Sequence, residues 1–148
     1  MRFNRQQPNE KNCAVVTLKN CLLYKGYNYS LKELKKITHT DKDGTFFETD
    51  LFKGIKKLNY KPKHFLIYTK EKFKREINNE LQNKKTIILT TDADYHVVAV
   101  LNREKNKYTI VDSMFDKLVQ ELTFNQLENL SKYFNREKMK SQHQFISF

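Results

Sequence analysis

The stretch that decides the fold is YHVVAVL at residues 95–101, followed after a polar segment by KYTIVD at residues 107–112. Both are short runs rich in β-branched and aromatic residues, which is typical of strands, and they predict an antiparallel hairpin with its turn in residues 102–106. If that turn centres on Glu104, His96 lies directly opposite Asp112, with Cβ atoms about 4.5–5.5 Å apart. A register change of two leaves the pair as diagonal neighbours, whereas a slip of one puts them on opposite faces.

Helical patterns fill most of the chain before this hairpin, and shorter helices and strands flank it. Asn12 is a good N-cap residue for a first helix, and Ser30-x-x-Glu33 is a capping box for a second. The predicted helices are 13–25, 31–37, one that opens at Gly44-Thr45, 70–82, and 123–134, the last capped by Thr123. The predicted strands outside the hairpin are 63–68, 86–90 and a β-like end at 143–148. Helices first and an antiparallel sheet after them predict the α+β class.

Composition narrows the class of protein further. The chain has 148 residues, 39% of them hydrophobic, and a mean hydropathy of −0.78, so we expect one domain spanning 1–148 and no membrane segment. No apolar stretch of the kind that marks a secretory signal follows the first basic residues, which makes a cytoplasmic location the default expectation. The net charge of +11 makes a nucleic-acid partner possible. Such a partner is not favoured, because the basic residues occur singly or in pairs along the whole chain.

The two cysteines, Cys13 and Cys21, do not form a zinc pair, since metal-binding cysteines usually sit two to four residues apart. On one helix they lie about 12 Å apart, which is too far for a disulfide bond. Cys13 falls in the first turn of its helix, where unpaired N–H groups and the dipole favour an anion, so it is a candidate nucleophile. Cys21 has the pattern of a buried small hydrophobic residue.

Three further residues complete a candidate site around Cys13. His96 begins an apolar strand and Asp112 is placed to orient its imidazole, although lone histidines in strands are more often hydrogen-bonded core residues and Asp112-Ser113 also suits a turn. A thiol beside an oriented imidazole is an activated nucleophile. Acyl transfer also needs donors for the developing oxyanion, and the Cys13 backbone N–H and the Gln7 side-chain amide are candidates.

The order and spacing of these residues resemble the papain-like cysteine peptidases, and within them the bacteriocin-processing, double-glycine leader peptidase family. The resemblance rests on Gln7-x5-Cys13, Gly44-Thr45, HVVAV at 96–100 and TIVD at 109–112, and it runs from about residue 7 to about residue 133. Two positions depart from the family pattern: Ala14 stands where Gly usually follows the nucleophile, and Ser113 where Pro usually follows the third triad residue.

The resemblance implies a papain-like fold with Cys13 as nucleophile, His96 as general base and acid, Asp112 as orienting carboxylate and Gln7 as oxyanion donor. It implies a peptide or protein substrate and no metal or organic cofactor. Tyr95, Phe46 and Phe47 are candidates for lining the cleft, although aromatic residues at such positions are more often core. The alternatives are a thiol-dependent deamidase or acyltransferase on the same fold, and a non-catalytic basic binding module. The substrate, the oligomeric state and a bacterial or phage setting stay open at this point.

Overall fold

The structure is a computed structural model that describes residues 1–7, 10–92 and 96–148. It contains helices and antiparallel strands, as expected. The helices are α1 Cys13–Tyr24, α2 Leu31–Ile37, α3 Phe52–Lys57, α4 Lys70–Gln82 and α5 Phe124–Ser131, with a π-helical turn Phe47–Leu51 leading into α3. The strands are β1 Lys63–Ile67, β2 Ile87–Thr90, β3 Val97–Glu104, β4 Lys107–Val111, β5 Val119–Leu122, β6 Tyr133–Asn135 and β7 Lys140–Ser147.

The described strands form one antiparallel sheet in the order β1-β7-β2-β3-β4-β5, and β6 pairs with the first part of β7. The C-terminal strand β7 is therefore internal, between β1 and β2. The β-like end predicted at 143–148 is confirmed, and it begins earlier, at Lys140. Its position in the middle of the sheet means that the last residues of the chain help to close the core.

Hydrophobic side chains cover both faces of the sheet. On one face α1 packs against alternate strand residues, including Val97, Ala99 and Val111, and α2 and α3 extend this core beside α1. On the other face α4 and α5 pack against the intervening residues, including Val98 and Ile110. Because β3 is buried on both faces, its apolar residues form an unbroken run instead of an alternating pattern. The two faces are thus covered by different helices, and α1 is the helix that packs on β3 from the first face.

The β3–β4 hairpin differs from the predicted register. Its turn is the two residues Lys105 and Asn106, both at positive φ (46° and 64°), instead of the five polar residues 102–106. Such a two-residue turn matches the twist of the strands. A β-bulge between Val100 and Asn102 then shifts the register by one residue, so that Ala99 pairs with Val111. The expected pairing of His96 directly opposite Asp112 is wrong, and both residues lie just beyond the strand ends.

Other element boundaries moved by small amounts. The third helix begins at Phe47 with a π-helical turn, not at Gly44-Thr45, where Gly44 instead closes a tight turn through the bridge with Asp41. The final helix ends at Ser131, because the chain then extends into β6. The capping boxes predicted at Ser30 and Thr123 are both formed. Within the described ranges no helix has the length and apolar character to cross a membrane.

Candidate active site

His96 and Asp112 meet at the end of the sheet where β3 begins and β4 ends. His96 Nε2 lies 2.8 Å from Asp112 Oδ1, and both side chains are largely buried, at 10% and 3% exposure. If the register of Ala99 with Val111 is continued past the strands, Asp112 falls beside Val98. His96 is two residues from Val98 and on the same side of the strand, so the two side chains are diagonal neighbours.

The carboxylate of Asp112 is held by its own loop as well as by His96. Its Oδ1 accepts a hydrogen bond from the Met114 backbone N–H at 3.0 Å, and the Asp112 N–H donates to the Leu118 carbonyl at 3.0 Å. Burial raises the pKa of Asp112, but the hydrogen bonds from His96 and from the Met114 N–H outweigh it and leave the pKa below its usual value. The group is therefore an anion that faces the imidazole in a fixed direction.

Cys13 reaches the same place from α1. One turn further along this helix, Thr17 Oγ1 donates to the Val97 carbonyl at 3.3 Å, which joins the first turns of α1 to the beginning of β3. Residues four apart lie on the same face of a helix, so the contact at Thr17 directs Cys13 toward the residue that precedes Val97, which is His96. Cys13 is half-buried and packs against the core on the α1 side.

The protonated form of His96 is favoured by both neighbours. Burial lowers the pKa of His96, but hydrogen bonds with Asp112 and Cys13 and the charges of both groups outweigh it and raise the pKa to about 9. Since Asp112 occupies Nε2, the other nitrogen, Nδ1, is the one left to face the thiol. Nδ1 is buried as well.

The first turn of α1 carries no acidic residue, and the Asn12 side chain does not cap it. Asn12 is the N-cap residue, as predicted, but its amide donates to the Glu10 carboxylate instead. The N–H groups at the start of a helix attract negative charge. Because Cys13 is the first residue of α1, these N–H groups would stabilise an anion that forms beside it during a reaction.

Gln7 lies in the segment that leads into α1 and is exposed. Its backbone carbonyl accepts a hydrogen bond from the Glu10 N–H at 3.3 Å. The preceding residue, Gln6, donates its N–H to the Ser113 carbonyl at 3.1 Å, so this segment runs alongside the residue that follows Asp112. The backbone before Gln7 is therefore close to Ser113, and the Gln7 side chain lines a surface depression with Arg2, Arg5 and Leu118.

The remaining candidates from the sequence, a second cysteine and three aromatic residues, have different environments in the structure. Cys21 is fully buried, burial raises its pKa to about 12, and its Sγ faces the Ile87 carbonyl at 3.9 Å. Phe46 is 77% exposed, whereas Phe47 packs against the core and edge-on to His64. Tyr95, the third cleft candidate, lies outside the described residues. Sequence reasoning missed Thr17, whose signal was its spacing of four residues from Cys13.

The chain is similar to known proteins of one family. The model of the peptidase C39 family matches residues 3–136. No curated protein matches the chain by sequence. The solved structures similar to the chain include the following three, all at low sequence identity, which shows a shared fold.

The first is the peptidase domain of Streptococcus ComA, a bifunctional ABC transporter involved in quorum sensing: 17% identity, TM-score 0.61, 98% of this chain and 94% of that chain covered. The second is a double glycine motif protease from an AMS/PCAT transporter in complex with the leader peptide: 14% identity, TM-score 0.65, 97% and 88% covered. The third is a C39-like peptidase from Bacillus anthracis: 17% identity, TM-score 0.67, 99% and 92% covered. The α+β, papain-like fold expected from the sequence is thus confirmed, and the chain belongs to the peptidase C39 family of cysteine peptidases.

Proposed function

We propose that Cys13, His96, Asp112 and Gln7 are the residues with which this cysteine peptidase cleaves a peptide bond. The observation that carries the proposal is that His96 interacts with Asp112 through Nε2 and also with the Cys13 thiol. A buried imidazole between a carboxylate and a thiol at a helix start is the arrangement that an activated sulfur nucleophile requires.

The proposed reaction begins with attack of the Cys13 thiolate on the carbonyl carbon of the scissile bond. The carbonyl π electrons move to the oxygen, and the Cys13 N–H and the Gln7 amide donate hydrogen bonds to the resulting oxyanion. When the tetrahedral intermediate collapses, the C–N bond breaks and the His96 imidazolium gives its proton to the leaving amine. An acyl thioester with Cys13 and a neutral His96 remain.

Hydrolysis of the thioester completes the cycle. Neutral His96 takes a proton from water, the resulting hydroxide adds to the thioester carbonyl, and collapse releases a carboxylic acid and the Cys13 thiolate. Asp112 keeps the ring in one orientation throughout and stabilises the imidazolium by its charge. Each of the four residues thus has a separate role in the reaction, and each role can be tested by a single substitution.

We further infer that the substrate is a peptide with a double-glycine motif. The AMS/PCAT protease that the chain resembles is described as a double glycine motif protease and was solved with its leader peptide. A bacterial setting is part of the same proposal, as is the action of residues 1–148 as one papain-like unit, supported by the one sheet that both sets of helices cover.

The decisive experiment measures cleavage of synthetic peptides that carry Gly-Gly, with Ala-Ala versions for comparison. Cys13→Ala and His96→Ala are expected to abolish cleavage while the circular dichroism spectrum is unchanged. Cys21→Ala is the matched control and keeps turnover, because Cys21 is buried away from the site. Product mass spectrometry separates a cleaved fragment from the small mass gain of deamidation. Full activity in Cys13→Ala contradicts the proposal.

A further inference from the structure

The N-terminal segment 4–7, called here the strap, connects α1 to the Asp112 loop, residues 112–118. Asn20 anchors one end of the strap. This side chain is 1% exposed in the middle of α1, and its Oδ1 accepts from the Asn4 N–H at 2.7 Å while its Nδ2 donates to the Asn4 carbonyl at 3.0 Å. A buried amide that pairs with both backbone groups of one residue replaces a strand partner for that residue.

Arg5 and Gln6 fasten the other end of the strap. The Arg5 guanidinium donates from Nη1 to the Phe115 carbonyl at 2.5 Å and from Nη2 to the Asp116 carbonyl. The Gln6 N–H donates to the Ser113 carbonyl. Hydrogen bonds from a charged donor are roughly twice as strong as neutral ones, and two at once fix an orientation. Three hydrogen bonds, two from Arg5 and one from Gln6, therefore hold the Asp112 loop.

We propose that the strap is a positioning device for the reaction, in which Arg5 fixes the Asp112 loop against α1 and so sets the direction in which Asp112 meets His96. The inference rests on the proposed function. Arg5 touches no reacting atom, so it is a positioning residue and not a catalytic one.

The geometry explains why such a device is useful. Asp112 and Cys13 lie on different elements, the end of β4 and the start of α1, and both side chains interact with His96. Within the Asp112 loop, Asp112 and Ser113 are buried and Leu118 packs against the core, whereas Met114 and Phe115 between them are 62% and 55% exposed. The strap holds this exposed middle part through the bonds from Arg5 to the Phe115 and Asp116 carbonyls. Because the strap ends at Gln7, it also fixes the position of the proposed oxyanion donor relative to the Asp112 carboxylate.

The test compares Arg5→Gln with Arg5→Lys and with Arg2→Gln. Arg2→Gln is the matched control: it makes the same change of charge three residues earlier, and among the described residues no hydrogen bond joins Arg2 to the Asp112 loop. The measurements are kcat and KM on the Gly-Gly peptide, the pH profile of kcat/KM, and the melting temperature. Because Arg5 is exposed, its variants are expected to fold.

For Arg5→Gln we expect kcat to fall about 10- to 100-fold with little change in KM, as for a reacting group moved by about an ångström. The alkaline limb of the pH profile moves to lower pH, because a displaced carboxylate supports the imidazolium less well. Arg5→Lys restores part of the rate, and Arg2→Gln matches the wild type. Asn20→Ala, made as a second variant that releases the other end, shows the same shift of the alkaline limb.

A wild-type kcat and alkaline limb in Arg5→Gln overturn the positioning role. So does a loss of kcat that follows a fall in melting temperature with no shift of the limb. Either result leaves the proposed function intact if Cys13→Ala is inactive. Full turnover in Cys13→Ala instead removes the proposed function, and the two failures are thereby distinguished.

Discussion

His96 lies directly before β3 and Asp112 directly after β4, yet Nε2 and Oδ1 of the two side chains are 2.8 Å apart. The β-bulge at Val100/Asn102 makes this contact possible. Without the bulge, the register set by the two-residue turn would place Asp112 beside Ala99, three residues from His96 and on the other face. The bulge shifts the register by one and returns both residues to one face, a common use of bulges near functional sites.

The contact predicts different results for two substitutions of Asp112. Asp112→Asn keeps an oxygen for His96 Nε2–H and for the Met114 N–H, so we expect a folded protein with measurable kcat/KM. Asp112→Ala removes both hydrogen bonds, and we expect a loss of about 100-fold or more in kcat/KM. The measurement is peptide cleavage at pH 7, with the melting temperature of each variant as control. Wild-type activity in Asp112→Ala would show that Asp112 does not orient the ring.

The pH dependence of cleavage follows from the raised pKa of His96. The pKa of about 9 is above the ordinary value, so the imidazolium that gives its proton to the leaving amine persists through neutral pH and is lost as the pH rises through about 9. We therefore expect kcat/KM to fall on the alkaline side near that pH. The hydrogen bond and the charge of Asp112 both raise this pKa, so Asp112→Asn moves the fall to lower pH.

The pH profile of kcat/KM is measured from about pH 5 to about pH 11, so that it extends about 2 pH units beyond the expected alkaline fall. NMR titration of His96 in the wild type and in Asp112→Asn checks the assignment independently of turnover. An alkaline limb that does not move in Asp112→Asn would assign the limb to another group.

Local patterns predicted most elements because their signals lie within a few residues. Capping boxes at Ser30 and Thr123 and the apolar spacing in 70–82 depend on contacts three or four residues apart, and these formed as expected. The sequence pattern predicts that the β3–β4 turn begins at residue 102, which is too early, because residues 102–104 are polar. They continue β3 where it becomes exposed, and polar residues are acceptable there.

Long-range pairing could not be read from local patterns. The strand Val119–Leu122 was missed because its side chains are half exposed at the edge of the sheet, so they show little hydrophobic pattern. The internal position of β7 depends on pairing with β1 and β2, more than 50 residues earlier in the chain. The proximity of Cys13 to His96 depends on the packing of α1 on β3, and only the resemblance to a known family indicated it.

Thiol labelling separates the two cysteines. Cys13 is half-buried at the start of a helix beside His96, whereas Cys21 is fully buried and burial raises its pKa to about 12. We expect an epoxysuccinyl inhibitor or iodoacetamide to modify Cys13 in the native protein and to leave Cys21 untouched. Peptide mapping by mass spectrometry locates the label, and labelling after denaturation in urea shows that both thiols can react. Preferential modification of Cys21 in the native protein would count against the assigned site.

Gly44 links the turn before the π-helical segment to the start of α1. Its φ is +104°, and a Cβ at this position would come within 3.2 Å of the Lys11 carbonyl oxygen, one residue before the N-cap of α1. Gly44→Ala therefore combines backbone strain with a steric contact beside the site. Gly26→Ala is the matched control, because Gly26 also has a positive φ, +92°, but a Cβ there meets no atom within 4 Å.

Both variants are expected to lose about 1–3 kcal/mol in the free energy of unfolding, since each forces a side chain into the left-handed region. Only Gly44→Ala is expected to slow the reaction of Cys13 with iodoacetamide, because only that substitution pushes on the backbone leading into α1. Urea unfolding measures the first effect, and the alkylation rate under native conditions measures the second. If both variants change the alkylation rate equally, the effect is one of stability alone, and Gly44 has no particular part in placing Cys13.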